Sequence, residues 1–335
     1  MEWLLKKEVL IKLFHILKIN VCLATIKIYL WGGKMSVDLV KIAEIDEALK
    51  DNETAHLVID ENKVLSENIV KGFYMKTAEL KEGVEVKIIV DEGVIIKKPV
   101  HLCFGITHGM KQKIKMDIEI RDEAKISILS HCILPKESKH IMEAKIHIGK
   151  KAEYNYIEKH IHGVEYIEVY SKAKIFIEEE GKLKTDFELL KGRIGLLDVD
   201  YEAKGERKSA IEMTTKARGI KNDVIKVKEI GYLNGEKSKG VLKSRIAVMN
   251  NAKAEIYNKM VANGAYSRGH VDCKEIIKDN GVATAIPVVE VSHPKAHVTH
   301  EAAIGSVDKK QLETLMAHGL SEDEAVELII EGMMS

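Results

Sequence analysis

Three residues in the last quarter of the chain have the chemistry to share a metal: Cys273 in "VDCKEII", and the adjacent His300 and Glu301 in "VTHEAAIG". Thiolate, imidazole and carboxylate together suit iron or zinc. In a strand, neighbouring side chains point to opposite faces, so one coil does not easily aim both His300 and Glu301 at one ion, whereas a two-fold interface beside the strand offers groups from two chains. A lone cysteine in a β-rich chain is also, and commonly, just a small buried hydrophobe. Both readings of Cys273 stay open on chemistry alone.

The other cysteines, Cys22, Cys103 and Cys132, are scattered, with no CxxC spacing. That argues against a disulfide framework and fits a reducing cytoplasmic setting. Any metal site must therefore be assembled from distant segments. The chain has no P-loop, no dinucleotide-binding fingerprint and no HExxH, so none of its motifs points to nucleotide hydrolysis, dinucleotide binding or zinc-peptidase chemistry. Its 52 basic and 52 acidic residues cancel, which speaks against nucleic acid as a ligand. The run Glu178, Glu179, Glu180 could suggest a carbohydrate-active site on a solenoid face, but consecutive carboxylates alternate faces and more often mark a solvated turn. A metal-free structural adaptor is the other alternative.

The elements that must position these residues change period along the chain. Residues 1–35 hold an apolar run, Val9 to Trp31, interrupted by Lys12, Lys18 and Lys27. Each lysine would cost roughly 2.5 to 3.5 kcal/mol near a bilayer centre, so no stable membrane association is expected. The segment reads as an upstream extension before a protein starting at Met35, with an amphipathic helix as the alternative. Residues 36–81 are expected to form a small helical entry, on the strength of "VDLVKIAEIDEALKD".

From residue 82 to residue 305 the period is two. An Ala-Lys motif followed by alternating apolar residues recurs at Ala124, Ala144 and Ala173, at intervals of 20 and 29 residues, with a related pair at Ala252. Short strands recurring at that length point to a β-solenoid, in which each coil buries its apolar face on the last. An antiparallel sandwich is the alternative, and the Asn-Gly dipeptides at Asn234, Asn263 and Asn280 are the hairpin signals it would use. Residues 306–335 return to helical period. Asp308 with Gln311, and Ser321 with Glu324, have capping-box spacing, and Gly319 and Gly332 stand where helices stop. Leu312, Leu315 and Met316 on the first helix, and Val326, Ile329 and Ile330 on the second, form apolar faces that must dock on the solenoid or on a partner.

The stretch from His270 to Gly332 resembles the C-terminal signature of the SufB/SufD family: a cysteine-bearing strand, "PVVEV", "HEA", and a helical pair ending "EAVELIIEG". The strand Glu92 to Gly105, "EGVIIKKPVHLCFG", resembles the one that opens the family core. The resemblance implies a right-handed parallel β-helix with flanking helices, and a scaffold for iron–sulfur cluster assembly rather than an enzyme. It implies a homodimer through the β-helix, an ABC-type (SufC-like) ATPase on the C-terminal helices, and a transient iron–sulfur cluster bound at Cys273, His300 and Glu301. SufD keeps the histidine and lacks the cysteine and glutamate, so the chain looks SufB-like. It departs from the pattern in lacking an N-terminal cysteine cluster, and in "QLETLMAHGL", where an aromatic pair is usual.

Overall fold

The computed structural model describes residues 29–31, 34–36, 39–109 and 111–334. All but the last three residues of the run Val9–Trp31 lie outside them, and with them the expectations for the N-terminal extension. The chain separates into two units. Met1–Asp46 carries the antiparallel pair β1 (Tyr29–Trp31) and β2 (Lys34–Ser36) and the single turn α1 (Leu39–Ile42). A second turn, α2 (Asp46–Leu49), stands at the boundary with the unit Glu47–Ser335. The continuous helix expected here is broken at Glu44, whose φ of 57° is left-handed.

Strands follow: β3 (His56–Asp60), β4 (Lys63–Asn68), β5 (Phe73–Leu80), β6 (Gly83–Val90), β7 (Val100–Gly105), β8 (Lys111–Ile120), β9 (Lys125–Leu134), β10 (Ser138–Ile148), β11 (Glu153–His162), β12 (Ile167–Ile177), β13 (Lys182–Lys191), β14 (Leu196–Gly205), β15 (Ala210–Gly219), β16 (Val224–Leu233), β17 (Lys239–Val248), β18 (Lys253–Ala262), β19 (Arg268–Ile277), β20 (Val282–Val291) and β21 (His297–Ser306). The expected helical entry over 36–81 is therefore helical only as far as Leu49. The "HLVID" of β3 is an apolar run of strand length and pairs parallel with β7, while β5 alternates and pairs antiparallel with β6. Both sheets begin before residue 82.

The fold is a parallel β-solenoid. Even-numbered strands from β6 to β20 line up in one sheet and odd-numbered strands from β7 to β21 in the other. Each coil contributes one strand to each sheet. Glu153 pairs with Lys182 and Lys182 with Ala210, so a coil takes 29 or 28 residues. Ala144 pairs directly with Ala173, which makes the 29-residue interval of the Ala-Lys motif one coil. Ala124 lies at a corner, and the 20-residue interval runs from one sheet to the other without being a repeat.

The corners explain the hairpin signals. Non-glycine residues with left-handed φ recur at one corner coil after coil, at Lys151, Glu180, Lys208, Lys237 and Tyr266. The Asn-Gly dipeptides at Asn234 and Asn263 stack there instead of closing hairpins, Asn263 Nδ2 donating to Asn234 Oδ1 at 2.9 Å, while the one at Asn280 lies at the opposite corner, between β19 and β20. Gly264 must be glycine, because a Cβ there would sit 2.0 Å from the Gly235 carbonyl oxygen of the preceding coil.

Inward side chains from both sheets form one continuous apolar core from Leu57 to Cys273. Full burial of each Ile or Leu contributes roughly 1.5–3 kcal/mol, and the repeated coil geometry gathers these contributions along the column.

Two helices close the chain, α3 (Lys309–Ala317) and α4 (Glu322–Met334). The Asp308 side chain accepts from Gln311 N at 2.7 Å, and Gly319 takes φ 95° at the stop. Ser321 N donates to the Glu324 carboxylate at 2.8 Å, completing the second cap. Gly332 does not end α4, which continues to Met334. Val326, Ile330 and Met334 bury against Ala247 and Met249 of the solenoid, and Arg218 forks both guanidinium nitrogens onto the Glu327 carboxylate. α3 buries no residue fully, and Met316 is 41% exposed. Among the described residues no helix is long and apolar enough to cross a membrane.

Candidate functional site

Strand alternation puts Cys273 inside the solenoid. Its neighbours on β19 at the same parity, Val271 and Glu275, are buried with it. Register carries one inward column from coil to coil: Ser130, Glu158, Phe187, Thr215, Ser244 and Cys273 pair in succession. The column is polar except at Phe187. From the facing sheet, Tyr201, Glu229 and Asn258 are likewise successive register partners. The apolar column of a solenoid thus holds a polar seam.

At its C-terminal end the seam surrounds Cys273. Asn258 Nδ2 lies 3.7 Å from Cys273 Sγ, Ser244 Oγ donates to Glu275 Oε1 at 3.1 Å, and Thr215 Oγ1 donates to Glu229 Oε1 at 2.7 Å. Burial pushes the Cys273 thiol up, and pushes Glu229 and Glu275 up to about 7.

His300 and Glu301 lie on β21, the last strand of its sheet, and both are exposed. His300 pairs with inward Val271, and Glu301 pairs with Asp272, which faces outward and forms an ion pair with Arg245. The opposite orientation expected of the two is thus seen in the register. Ala302, not His300, is the direct partner of Cys273. Within one chain the three donors are not gathered: Cys273 is fully buried, and the other two stand at the open end of the solenoid.

A different trio is gathered. Cys132, Glu158 and His160 each offer a ligand atom within 4.8 Å of the others. His160 is the register partner of Cys132, and Glu158 precedes it by two residues on the same face. Cys132 Sγ is 3.9 Å from Glu158 Oε1 and 3.8 Å from His140 Nε2, and Glu158 Oε1 is 2.8 Å from His160 Nε2. Tyr201 OH donates to Glu158 Oε2 at 3.3 Å. Burial raises the Cys132 thiol well above its ordinary range, raises Glu158 to about 7, and lowers His140 and His160 to about 3.

Residues 106–333 match the family model described as "SUF system FeS cluster assembly, SufBD core domain". The chain belongs to the SufBD family. An iron–sulfur cluster assembly SufBD family protein of Methanocaldococcus jannaschii is 43% identical over 308 residues, 88% of this chain and 98% of that one. One from Pyrococcus horikoshii is 33% identical over 301 residues, 89% of this chain and 92% of its own length. One from Archaeoglobus fulgidus is 26% identical over 250 residues, 72% and 66% of the two chains. The SufBD match takes in the whole stretch His270 to Gly332; Glu92 to Gly105 lies just ahead of the matched residues.

The interior trio of this SufBD chain was not singled out from sequence. The signal was present in "YIEKHIH", where Glu158, His160 and His162 alternate on one face of a strand. Pairing those residues with Cys132 requires the register, which the strand pattern does not supply. The run Glu178–Glu180 lies at a corner, where Glu180 binds Lys208 at 2.6 Å, Glu178 approaches His147 at 3.1 Å and Glu179 meets Arg207. Glu179 and Glu180 thus each meet a cationic side chain at a partly exposed corner.

Proposed function

We propose that the chain is a scaffold for iron–sulfur cluster assembly that works as a homodimer, with the nascent cluster held at the paired ends of the two solenoids by Cys273, His300 and Glu301. The observation that carries this reading is the open end. β20 and β21 each run ten residues and terminate their sheets. Two long uncovered strand edges are a liability that soluble proteins ordinarily blunt. Inward positions on them are exposed, Val291 at 46% and Ile304 at 44%. A second copy related by a two-fold axis would extend the sheets and cover these positions. It would also bring a partner's His300 and Glu301 toward the end of the seam where Cys273 lies.

Cluster iron and sulfide are cargo in this reading. Cys273 anchors them, and the imidazole and carboxylate hold them weakly enough for transfer. An ABC-type ATPase docks on α3, whose apolar residues the solenoid leaves partly uncovered, and shifts the dimer between two arrangements. The free thiols Cys103, Cys132 and Cys273 fit a reducing cytoplasm.

Sedimentation velocity tests the interface. Val291→Lys with Ile304→Lys places charges on positions already exposed in the single chain, so the solenoid should keep its melting temperature while the dimer becomes a monomer. A wild-type chain that sediments as a monomer at tens of micromolar, or a double variant that remains a dimer, contradicts the reading.

A further inference from the structure

We propose that Cys132, Glu158 and His160 form a binding site for one divalent transition-metal cation, enclosed within the solenoid and separate from the strand-edge donors. Cys132 is 0% exposed, Glu158 1% and His160 3%, and their ligand atoms already lie within 4.8 Å of one another. A tetrahedral ion with bonds of about 2.0–2.3 Å holds its ligands roughly 3.3–3.7 Å apart, so adjustments of about an ångström complete the site.

The hydrogen bonds around the trio prepare His160 as a ligand. The Arg193 carbonyl oxygen can only accept, so His162 Nδ1, 2.9 Å away, carries the proton. In a neutral ring His162 Nε2 is then bare and accepts from His160 Nδ1 at 3.1 Å. That leaves His160 Nε2 bare, facing Glu158 Oε1 at 2.8 Å. A histidine whose outer nitrogen is fixed as a donor and whose inner nitrogen presents a lone pair is the arrangement metal-binding histidines adopt. A cation bound here would replace the 2.8 Å contact between His160 Nε2 and Glu158 Oε1, and its binding would release the Cys132 thiol proton to solvent.

Charge and surroundings agree. One thiolate and one carboxylate neutralise a divalent cation, so the loaded site carries no net charge into the core. His140 Nε2, 3.8 Å from the sulfur, is placed to support a bound thiolate. A cavity adjoins the trio, lined by Glu158, Tyr154, Ser171, Thr185 and Tyr201, and among the described residues Tyr154 OH and Thr185 Oγ1 have no hydrogen-bond partner there. An exchangeable ligand on the ion could enter from that side. The donor set selects a cation of borderline softness, such as Fe²⁺, Co²⁺ or Zn²⁺, over Mg²⁺ or Ca²⁺.

Cobalt is the probe. Anaerobic titration with Co²⁺ of the full chain carrying Cys273→Ser, which removes the thiol from the strand-edge donors, should give one equivalent bound, with a near-ultraviolet thiolate-to-cobalt band. In that background Cys132→Ser should abolish the band and His160→Ala should weaken binding at least tenfold. X-ray absorption of the wild-type chain needs no variant and should report one sulfur with nitrogen and oxygen ligands. The proposal is overturned if the Cys273→Ser chain binds no cobalt in equilibrium dialysis or shows no thiolate band, if the band survives Cys132→Ser in that background, or if X-ray absorption shows no sulfur ligand. Neither result bears on whether the solenoids pair at their open ends.

Discussion

Glu158 and Cys273 stand in the same inward column of the solenoid, four register steps apart, with Phe187, Thr215 and Ser244 between them. At about 4.8 Å per step, roughly 19 Å of interior separates the two donor groups. Phe187 is the apolar break in that column, and its ring centroid lies 4.8 Å from that of His160. Phe187→Ala should cost about 3–5 kcal/mol, read as a shift of the urea midpoint. A loss below 1 kcal/mol would mean that the ring does not pack the seam.

The buried carboxylates set a pH dependence. Glu229 is raised from 4.5 to about 7 by burial, so its contribution to stability is fully present below pH 4.5 and is lost as pH rises through about 7. Glu229→Gln keeps an acceptor for Thr215 and removes the charge. It should match the wild type near pH 4 and be more stable at pH 8 by about 2–3 kcal/mol, seen in denaturant melts across the range. Buried His140 and His160, lowered to about 3, act oppositely: their contribution is present above pH 6.5 and is lost as pH falls through about 3. Parallel melting curves for Glu229→Gln and wild type at every pH would contradict this assignment.

The corner ladder predicts a contrast between adjacent residues. Asn263→Ala removes two exposed side-chain hydrogen bonds, the one Asn263 donates to Asn234 and the one it accepts from Ser292, and should cost about 1–2 kcal/mol. Gly264→Ala must displace the Gly235 backbone, which a Cβ would meet at 2.0 Å, and should cost several-fold more in the same thermal melt. Equal effects would remove the close-approach argument.

The solenoid was legible because its period is encoded twice, in the two-residue alternation of each strand and in the 29-residue recurrence of Ala144 and Ala173. The N-terminal strands were not, since an apolar run such as "HLVID" reads equally as helix or strand until β7 is there to pair with it. For the site, sequence singled out Cys273 and the opposite facing of His300 and Glu301. It could not show that Cys273 is sealed within the core while its companions lie on an open edge, nor that Cys132 meets Glu158 and His160. Those facts depend on register across coils.

The two C-terminal helices differ in how firmly they are held. α4 is held by Val326, Ile330 and the Arg218–Glu327 ion pair, while Leu315 on α3 is only half-buried. Val326→Asp should therefore release α4, raising its amide exchange by orders of magnitude while the solenoid strands keep theirs, because a charge there loses apolar cover at a cost of about 3 kcal/mol or more. Leu315→Asp should leave exchange unchanged and abolish capture of an ABC-type ATPase. Capture that survives Leu315→Asp would take the docking surface away from α3.

The proposal of a cluster site shared between two chains is tested most directly by mixed dimers. Anaerobic reconstitution with iron and sulfide, followed by visible absorption, should load the wild type and fail in both the Cys273→Ser and the His300→Ala homodimers, with their circular dichroism unchanged. If Cys273 of one chain works with His300 of the other, a purified mixed dimer of these two variants retains one intact site of two, and should recover about half the wild-type cluster. A mixed dimer that loads no more cluster than either parent would contradict a site built across the two chains.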